Sequence, residues 1–471
     1  EMLEGFSNKG MITVALLFLV SEGIRQSGTL GQVIKKLLPQ GKTTVFKAQL
    51  RILPSVAFIS AFLNNTPVVV IFAPIIKHWA KSVNLPATKF LIPLSYVTIL
   101  GGICTLIGTS TNLVVHGMIL EAGFEGFSMF ELGKVGIFIA IAGIIYIFLF
   151  SKRLLPDARP DTAVPDEEIE EGEKFHRVEA VLGARFPGIN KKLKDFNFQR
   201  HYGAEVKEIK TRNGQRFVTN LDDVVLHEGD TLVVMADDTF IPTWGESSVF
   251  VLLTNGNEPD TTGKKKRWFA LLLLVLMIVG ATVGELPITK EMFPDIKLDM
   301  FFFVSITTII MAWTNLFPAR KYTKYISWDI LITIACAFAI SKAMVNSGVA
   351  DSVAKFIIGL SDDYGPHVLL AMVFIITNLF TELITNNAAA ALAFPLALSI
   401  SAQLGVSPTP FFVVICMAAS ASFSTPIGYQ TNLIVQGIGN YKFTDFVRIG
   451  LPLNIITFLI SIILIPLIWN F

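Results

Sequence analysis

Charge is scarce in this chain. Of its 471 residues, 16% are Asp, Glu, Lys or Arg and 52% are hydrophobic, with a mean hydropathy of +0.60, whereas charged residues make up about 25% of an ordinary globular chain. So much apolar surface needs lipid around it. Histidines (six) and cysteines (three) are few. Cys104, Cys336 and Cys416 each stand in an apolar segment with neither metal nor disulfide spacing, and read as small buried hydrophobes. No nucleophile, base and oxyanion set and no metal-ligand cluster is recognisable, so the residues do not describe an enzyme. A net charge of +1 provides no excess for a nucleic acid.

What the chain has instead is long hydrophobic runs, at about 11–24, 134–151, 268–286, 299–315, 328–345 and 450–471, close to the roughly 20 residues that cross a bilayer. The first can insert by itself, so no secretory signal is needed. Half the charge sits in one place: the 116 residues from Lys152 to Arg267 hold 39 of the 75 ionisable side chains. This predicts a first membrane repeat over 1–154, an inserted soluble domain over 155–263 and a second repeat over 264–471. Lys152-Arg153 and Lys264-Lys265-Lys266-Arg267 flank the insertion and place it in the cytoplasm of a multi-pass inner (plasma) membrane protein.

The chain repeats itself. Thr105 to Gly117, TLIGTSTNLVVHG, returns 320 positions later as TPIGYQTNLIVQG, with eight of 13 positions identical, and the same offset pairs Ser21 with Ser341, Ser27 with Ser347 and Gly28 with Gly348. The copies face opposite ways by charge. Residues 29–51 carry Lys35, Lys36, Lys42, Lys47 and Arg51, whereas 349–371 carry Lys355 beside Asp351, Asp362 and Asp363. Lys77, Lys81 and Lys89, then Glu121, Glu125 and Glu131, then Lys152 continue the alternation, so the repeat is inverted and the carboxyl terminus falls outside. Two runs, 268–286 and 299–315, precede the second copy without counterparts before residue 1, and symmetry predicts amino-terminal helices beyond the given chain.

Each copy holds two polar interruptions. AFLNNTPVVVIFAP (Ala61 to Pro74) and ELITNNAAAALAFP (Glu382 to Pro395) read as re-entrant hairpins, their apolar flanks of about ten residues too short to cross. Thr66-Pro67 reads as one helix start and Asn387 as the cap of the other. Gly108 to Asn112 and Gly428 to Asn432 read as helix breaks, restarted by Thr and Asn. Non-helical backbone at this depth survives where it lines a cavity or is buried in protein. Four such elements supply carbonyl and Asn oxygens for a small cation, and helix amino-termini for an anion. Ser60 and Thr381 stand five residues before Asn65 and Asn386, a paired hydroxyl suited to a hard cation. The tips contain no carboxylate or histidine, which favours sodium over protons. Glu382 has two readings, a functional membrane carboxylate or a tie between hairpin and neighbours. Glu22 and Arg25 read as a structural pair, His116 as a core residue.

In these motifs the sequence resembles the divalent anion:sodium symporter family, the solute carrier 13-like group within the ion transporter superfamily. That family has Ser-Asn-Thr at each tip and a Gly-Thr-Pro-Pro-Asn type break; here stand Asn64-Asn65-Thr66, Thr385-Asn386-Asn387, Gly108-Thr109-Ser110-Thr111-Asn112 and Gly428-Tyr429-Gln430-Thr431-Asn432. The resemblance implies one sodium site from Ser60, Asn64, Asn65, Gly108 and Asn112, and another from Thr381, Asn386, Gly428 and Asn432. It implies an anion held by the tips (Asn64, Asn65, Thr66, Thr385, Asn386, Asn387) with Thr109, Ser110, Thr111, Tyr429, Gln430 and Thr431. It further implies a homodimer in which a transport unit moves like an elevator. The replaced tip serines and break prolines point away from a dicarboxylate and toward a smaller oxyanion such as sulfate. A sodium/dicarboxylate symporter, or a proton-linked sodium/arsenite antiporter of the same superfamily, is the alternative, with a ligand-gated channel behind it.

The insertion, through FHRVEAVLGARFPGINKKLKDFNFQRHYGAEVKEI (Phe175 to Ile209) and DDVVLHEGDTLVVMA (Asp222 to Ala236), resembles the TrkA-C or RCK-C regulatory domain. It reads strand, helix, strand, a turn at Arg212-Asn213-Gly214-Gln215, and alternating strands, and implies a small regulatory ligand. The expected fold is an all-α polytopic membrane protein with inverted repeats, re-entrant hairpins and broken helices, carrying a small inserted α/β (α+β) cytoplasmic domain.

Overall fold

A computed structural model of the protein describes residues 4–157, 175–183, 185–211, 215–237, 240–244, 249–254, 264–292, 297–318, 320, 322–360 and 365–471. Its first half is helical: α1 (Lys9–Gln26), α2 (Thr29–Leu37), α3 (Val45–Ser60), α4 (Asn65–Ser82), α5 (Leu91–Gly102), α6 (Ser110–Glu121) and α7 (Gly133–Leu154). The insertion follows as β1 (Phe175–Leu182), α8 (Phe198–Tyr202), β2 (Glu205–Lys210), β3 (Arg216–Phe217), β4 (Thr231–Asp237), α9 (Phe240–Trp244) and β5 (Phe250–Thr254). Then come α10 (Lys264–Gly284), α11 (Pro287–Met292), α12 (Met300–Trp313) and α13 (Tyr322–Tyr325). The second copy comprises α14 (Trp328–Asn346), α15 (Val349–Leu360), α16 (Gly365–Leu383), α17 (Asn386–Leu404), α18 (Thr409–Ser420), α19 (Gln430–Gly439) and α20 (Phe443–Ile468). Helices α7, α10, α16, α17 and α20 are long and apolar enough to cross a bilayer.

The duplication is visible element by element. The α1–α2 and α14–α15 boundaries each turn on a glycine in the left-handed region, Gly28 at φ +68° and Gly348 at φ +71°, where a Cβ is disfavoured. Prolines recur inside the inner hairpin helices at Pro74 and Pro395.

Contacts across the chain give the orientation. On one face lie the α2–α3 and α4–α5 connections and the end of α7: Lys89 Nζ donates to Lys152 O (2.8 Å), Trp79 to Pro39 O (2.9 Å) and Thr88 to Pro156 O (2.8 Å). The inserted sheet is on this face too, through Lys77 and Glu179 (2.9 Å). On the other face, Trp469 donates to Glu131 (3.1 Å), Met129 N to Glu285 (3.0 Å), and His367 packs on Phe471. The connection before α3 and its counterpart before α16 therefore lie on opposite faces, and the repeat is inverted. The carboxyl terminus ends on the face away from the sheet.

The hairpins differ from the expected short flanks. Helices α3, α4, α16 and α17 run for 16, 18, 19 and 19 residues. They continue past the apolar stretch into segments such as Lys77-His78 and Pro366-His367, because a backbone leaving lipid keeps its hydrogen bonds by staying helical.

The insertion is one antiparallel sheet, ordered β3-β2-β4-β1-β5. β4 is its centre, buried along most of its length and paired with β1 (Val178 opposite Val234) and β2 (Ile209 opposite Leu232). Phe186, Phe196, Phe198, Tyr202 and Phe250 close its own apolar core. Most of the expected turn at Arg212 to Gln215 lies outside the described residues, between the paired Lys210 and Arg216.

Candidate functional site

Four helices begin where the copies meet. α4 starts at Asn65, α6 at Ser110, α17 at Asn386 and α19 at Gln430, preceded by Asn64, Thr109, Thr385 and Tyr429. Helix starts therefore fall earlier than expected. Asn64, not Thr66, occupies the cap position of α4, and Thr385, not Asn387, caps α17 by accepting from Ala388 N (3.4 Å). Pro67, lacking an N–H, is tolerated as the third residue of α4 because first-turn amides have no intrahelical partner. At α4, α6 and α19 no side chain caps the amino-terminus, so three sets of amide groups and positive dipole ends remain for a ligand.

The pairing crosses between copies. The Asn65 amide donates to the Tyr429 hydroxyl (2.6 Å), which also meets Thr109 Oγ1 (3.3 Å), and Thr66 donates to Gln430 Oε1 (3.3 Å). Reciprocally, Ser110 and Thr111 donate to Asn387 Oδ1 (3.3 and 3.2 Å). Each hairpin tip thus meets the other copy's helix break, the arrangement an inverted repeat generates at its pseudo-twofold axis.

Behind each tip is an oxygen-rich nook. In the first, Ser60 donates to Asn65 Oδ1 (2.7 Å). A Cβ on Gly102 would stand 2.7 Å from Asn65 Oδ1 and 3.1 Å from Gly108 O, and one on Gly108 2.5 Å from Gly102 O and 2.9 Å from Ala61 O. Asn112 donates to Thr105 O (2.9 Å), and its buried Oδ1 receives no donor among the described residues. In the second, Thr381 Oγ1 lies 2.7 Å from Asn386 Oδ1 and 2.6 Å from Ala419 O, one proton serving two acceptors. A Cβ on Gly428 would stand 2.4 Å from Thr381 O and 2.1 Å from Ser422 Oγ. Neutral oxygens crowded together in this way, with Asn112 Oδ1 lacking a donor among the described residues, suit a small hard cation.

Three residues face elsewhere. Asn64 is half-buried and lines a cleft with Ser21, Phe62, Ser110 and Met277. Thr385 is exposed and spends its oxygen on the cap. Thr431 is turned behind the break, where Ser95 donates to it (2.9 Å) and to Asn432 Oδ1 (2.7 Å). Sequence reasoning missed Ser95, Gly102, Thr105, Ser422 and Thr425. Thr105 and Thr425, a pair at the 320-residue offset, receive the amides of Gly108 (3.1 Å) and Gly428 (3.3 Å), and that offset was the signal. Glu22 and Arg25 form a two-bond pair, both at 2.7 Å, and His116 accepts from Phe127 N (3.0 Å).

Inverted copies that face their broken helices into one polar centre define a membrane transporter of the secondary type. Comparison with known proteins agrees. The profile described as citrate transporter (CitMHS) matches residues 1–405 and again 296–470, and the chain belongs to that family. An uncharacterized transporter of Synechocystis is 30% identical over 100% of this chain and 90% of its own length. A probable sodium/sulfate cotransporter 3 of Chlamydomonas reinhardtii is 33% identical over 59% of this chain and 31% of its own. Human solute carrier family 13 member 4 is 25% identical over 33% and 24% respectively.

Proposed function

We propose that the protein is a sodium-coupled symporter of a divalent oxyanion, sulfate first. The observation that carries this reading is the cross-copy pairing of Asn65 and Thr66 with Tyr429 and Gln430, and of Ser110 and Thr111 with Asn387, beside two nooks of neutral oxygens. The amide ends attract the anion, and the nooks around Asn65 and Asn386 take sodium. Because each nook shares its Asn with a helix start, cation binding orders the amides that hold the anion, which is the physical basis of coupling. Relatives named sodium/sulfate cotransporters support sulfate. The protein works as a homodimer in the plasma membrane, each transport unit moving as an elevator. The sheet-bearing insertion is a cytoplasmic regulatory domain of RCK-C type that answers to a small ligand, and the carboxyl terminus faces outside.

The test is labelled sulfate uptake into proteoliposomes, with and without a sodium gradient, against unlabelled succinate, citrate, phosphate and molybdate. Sulfate uptake that requires sodium and yields to molybdate but not succinate is expected. Competition by citrate or succinate would select a second reading, a sodium/dicarboxylate-type symporter, which the citrate-transporter profile favours.

A further inference from the structure

Behind the second tip, α16, α18 and α20 pack around a polar cluster that the first copy lacks. Glu382 Oε1 accepts from the Ser424 amide (2.8 Å) and from Asn454 Nδ2 (2.7 Å), which also donates to Ser424 Oγ (2.9 Å). Glu382 Oε2 and Asn454 Oδ1 are buried without a hydrogen-bond partner among the described residues, as are Ser420 Oγ on α18 and Ser461 Oγ, two turns further along α20 than Asn454. No lysine or arginine occurs on α16, α17 or α18, and the one on α20, Arg448, is exposed. Among the described residues no ion pair reaches Glu382.

The internal duplication supplies the control. Thr425 donates to Glu382 O as Thr105 donates to Ala61 O, which places Ala61 opposite Glu382. A Cβ on Gly136 would strike Ile103 O at 2.6 Å and one on Gly450 would strike Phe423 O at 2.0 Å, which places Ala140 opposite Asn454 and Ile147 opposite Ser461. The 320-residue offset places Leu100 opposite Ser420. These four counterparts are apolar, and Cys104 stands where the second copy has Ser424, so the fold does not require this polar set. A membrane-buried carboxylate with no cationic neighbour is costly unless something neutralises it.

We propose that the second copy holds a further alkali-cation site, formed by the Glu382 carboxylate and Asn454 Oδ1 between α16, the helix break and α20. It is distinct from the nook at Asn386: successive helix positions diverge by about 100°, so Thr381 faces the tip while Glu382 faces α20. A sodium ion there meets the free acceptors, cancels the charge and ties the tip to α20. On the sodium-coupled reading, on which this rests for its role, it adds one cation to each transport cycle.

Radiolabelled sodium binding to purified protein tests it in wild type, Glu382→Gln, Asn454→Leu and the double variant Asn65→Ala/Asn386→Ala. Glu382→Gln keeps the size and the acceptor of the carboxylate but not its charge. One bound sodium fewer than wild type is expected in Glu382→Gln and in Asn454→Leu, while the double variant keeps that ion. A sodium count in Glu382→Gln equal to wild type overturns the site, whatever its uptake rate. If wild type shows no sodium-dependent anion uptake yet Glu382→Gln still loses one ion, the transport reading fails and the site stands.

Discussion

Asn65 and Asn386 each carry two duties, an oxygen facing a nook and an amide at the start of a helix, and this makes them the residues most sensitive to change. Asn65→Ala removes the acceptor of Ser60 and the donor to Tyr429 together. Leaving such buried groups unmet costs about 1–3 kcal/mol, so uptake is expected to fall by about 10- to 100-fold, with the half-saturating sodium concentration raised and the protein still eluting as folded material. Unchanged sodium dependence in Asn65→Ala and Asn386→Ala would remove the nooks from the account. Gly108→Ala probes the same place through the backbone. Its methyl would lie 2.5 Å from Gly102 O, and a loss of sodium-dependent uptake is expected where Gly359→Ala, on α15 with open space around it and no left-handed backbone, leaves transport competent. These asparagines were legible in the sequence because they recur in register. The diversion of Thr385 into a cap and of Thr431 behind the break was not, since a hydroxyl's direction depends on its helix's rotation about its own axis.

At the scale of elements, α4 and α19 link the site to the insertion. Their first turns hold Asn65, Thr66 and Gln430, and their other ends meet the sheet: Lys77 on α4 holds Glu179 of β1 at 2.9 Å, and Leu433 and Gly437 of α19 press against Gly229, Thr231 and Val181. Burial alone would raise the Glu179 carboxyl, but Lys77 and Lys210 outweigh it and hold it at about 2. A carboxyl held below its unfolded value contributes stability that is present above the ordinary carboxylate range and is lost as pH falls through about 2. Docking of the sheet is therefore expected to be unchanged from about pH 5 upward, measured as protease resistance of the segment after Leu155. Glu179→Gln should weaken it by about 1–3 kcal/mol at neutral pH and alter transport rate without altering the order of competing anions. A shifted anion preference would show that the sheet shapes the site itself. Nothing in the pattern of charges in the insertion singled out Glu179 or Lys77, because their partnership spans 102 positions and exists only once the sheet is seated.

For the whole molecule, inversion has a direct consequence. Because Trp469 meets Glu131 while Lys89 meets Lys152, cysteines placed at Asn470 and at Glu205 should react with a membrane-impermeant maleimide from opposite sides of the membrane, in a background whose Cys104, Cys336 and Cys416 are replaced. Labelling from one side would refute the topology. By itself the sequence determined that the chain is a membrane protein, that it is duplicated, that the copies oppose each other and which asparagines and glycines interrupt the helices. These follow from hydropathy, loop charge and residue spacing, all of which are local. Only the tertiary structure decided that each tip pairs with the other copy's break, that the hairpin helices run long, and that Glu382 keeps company with Asn454 while Ala61 and Ala140 do not need to. Which side chains face one another across packed helices depends on rotation and register between segments hundreds of residues apart, and no local pattern encodes that.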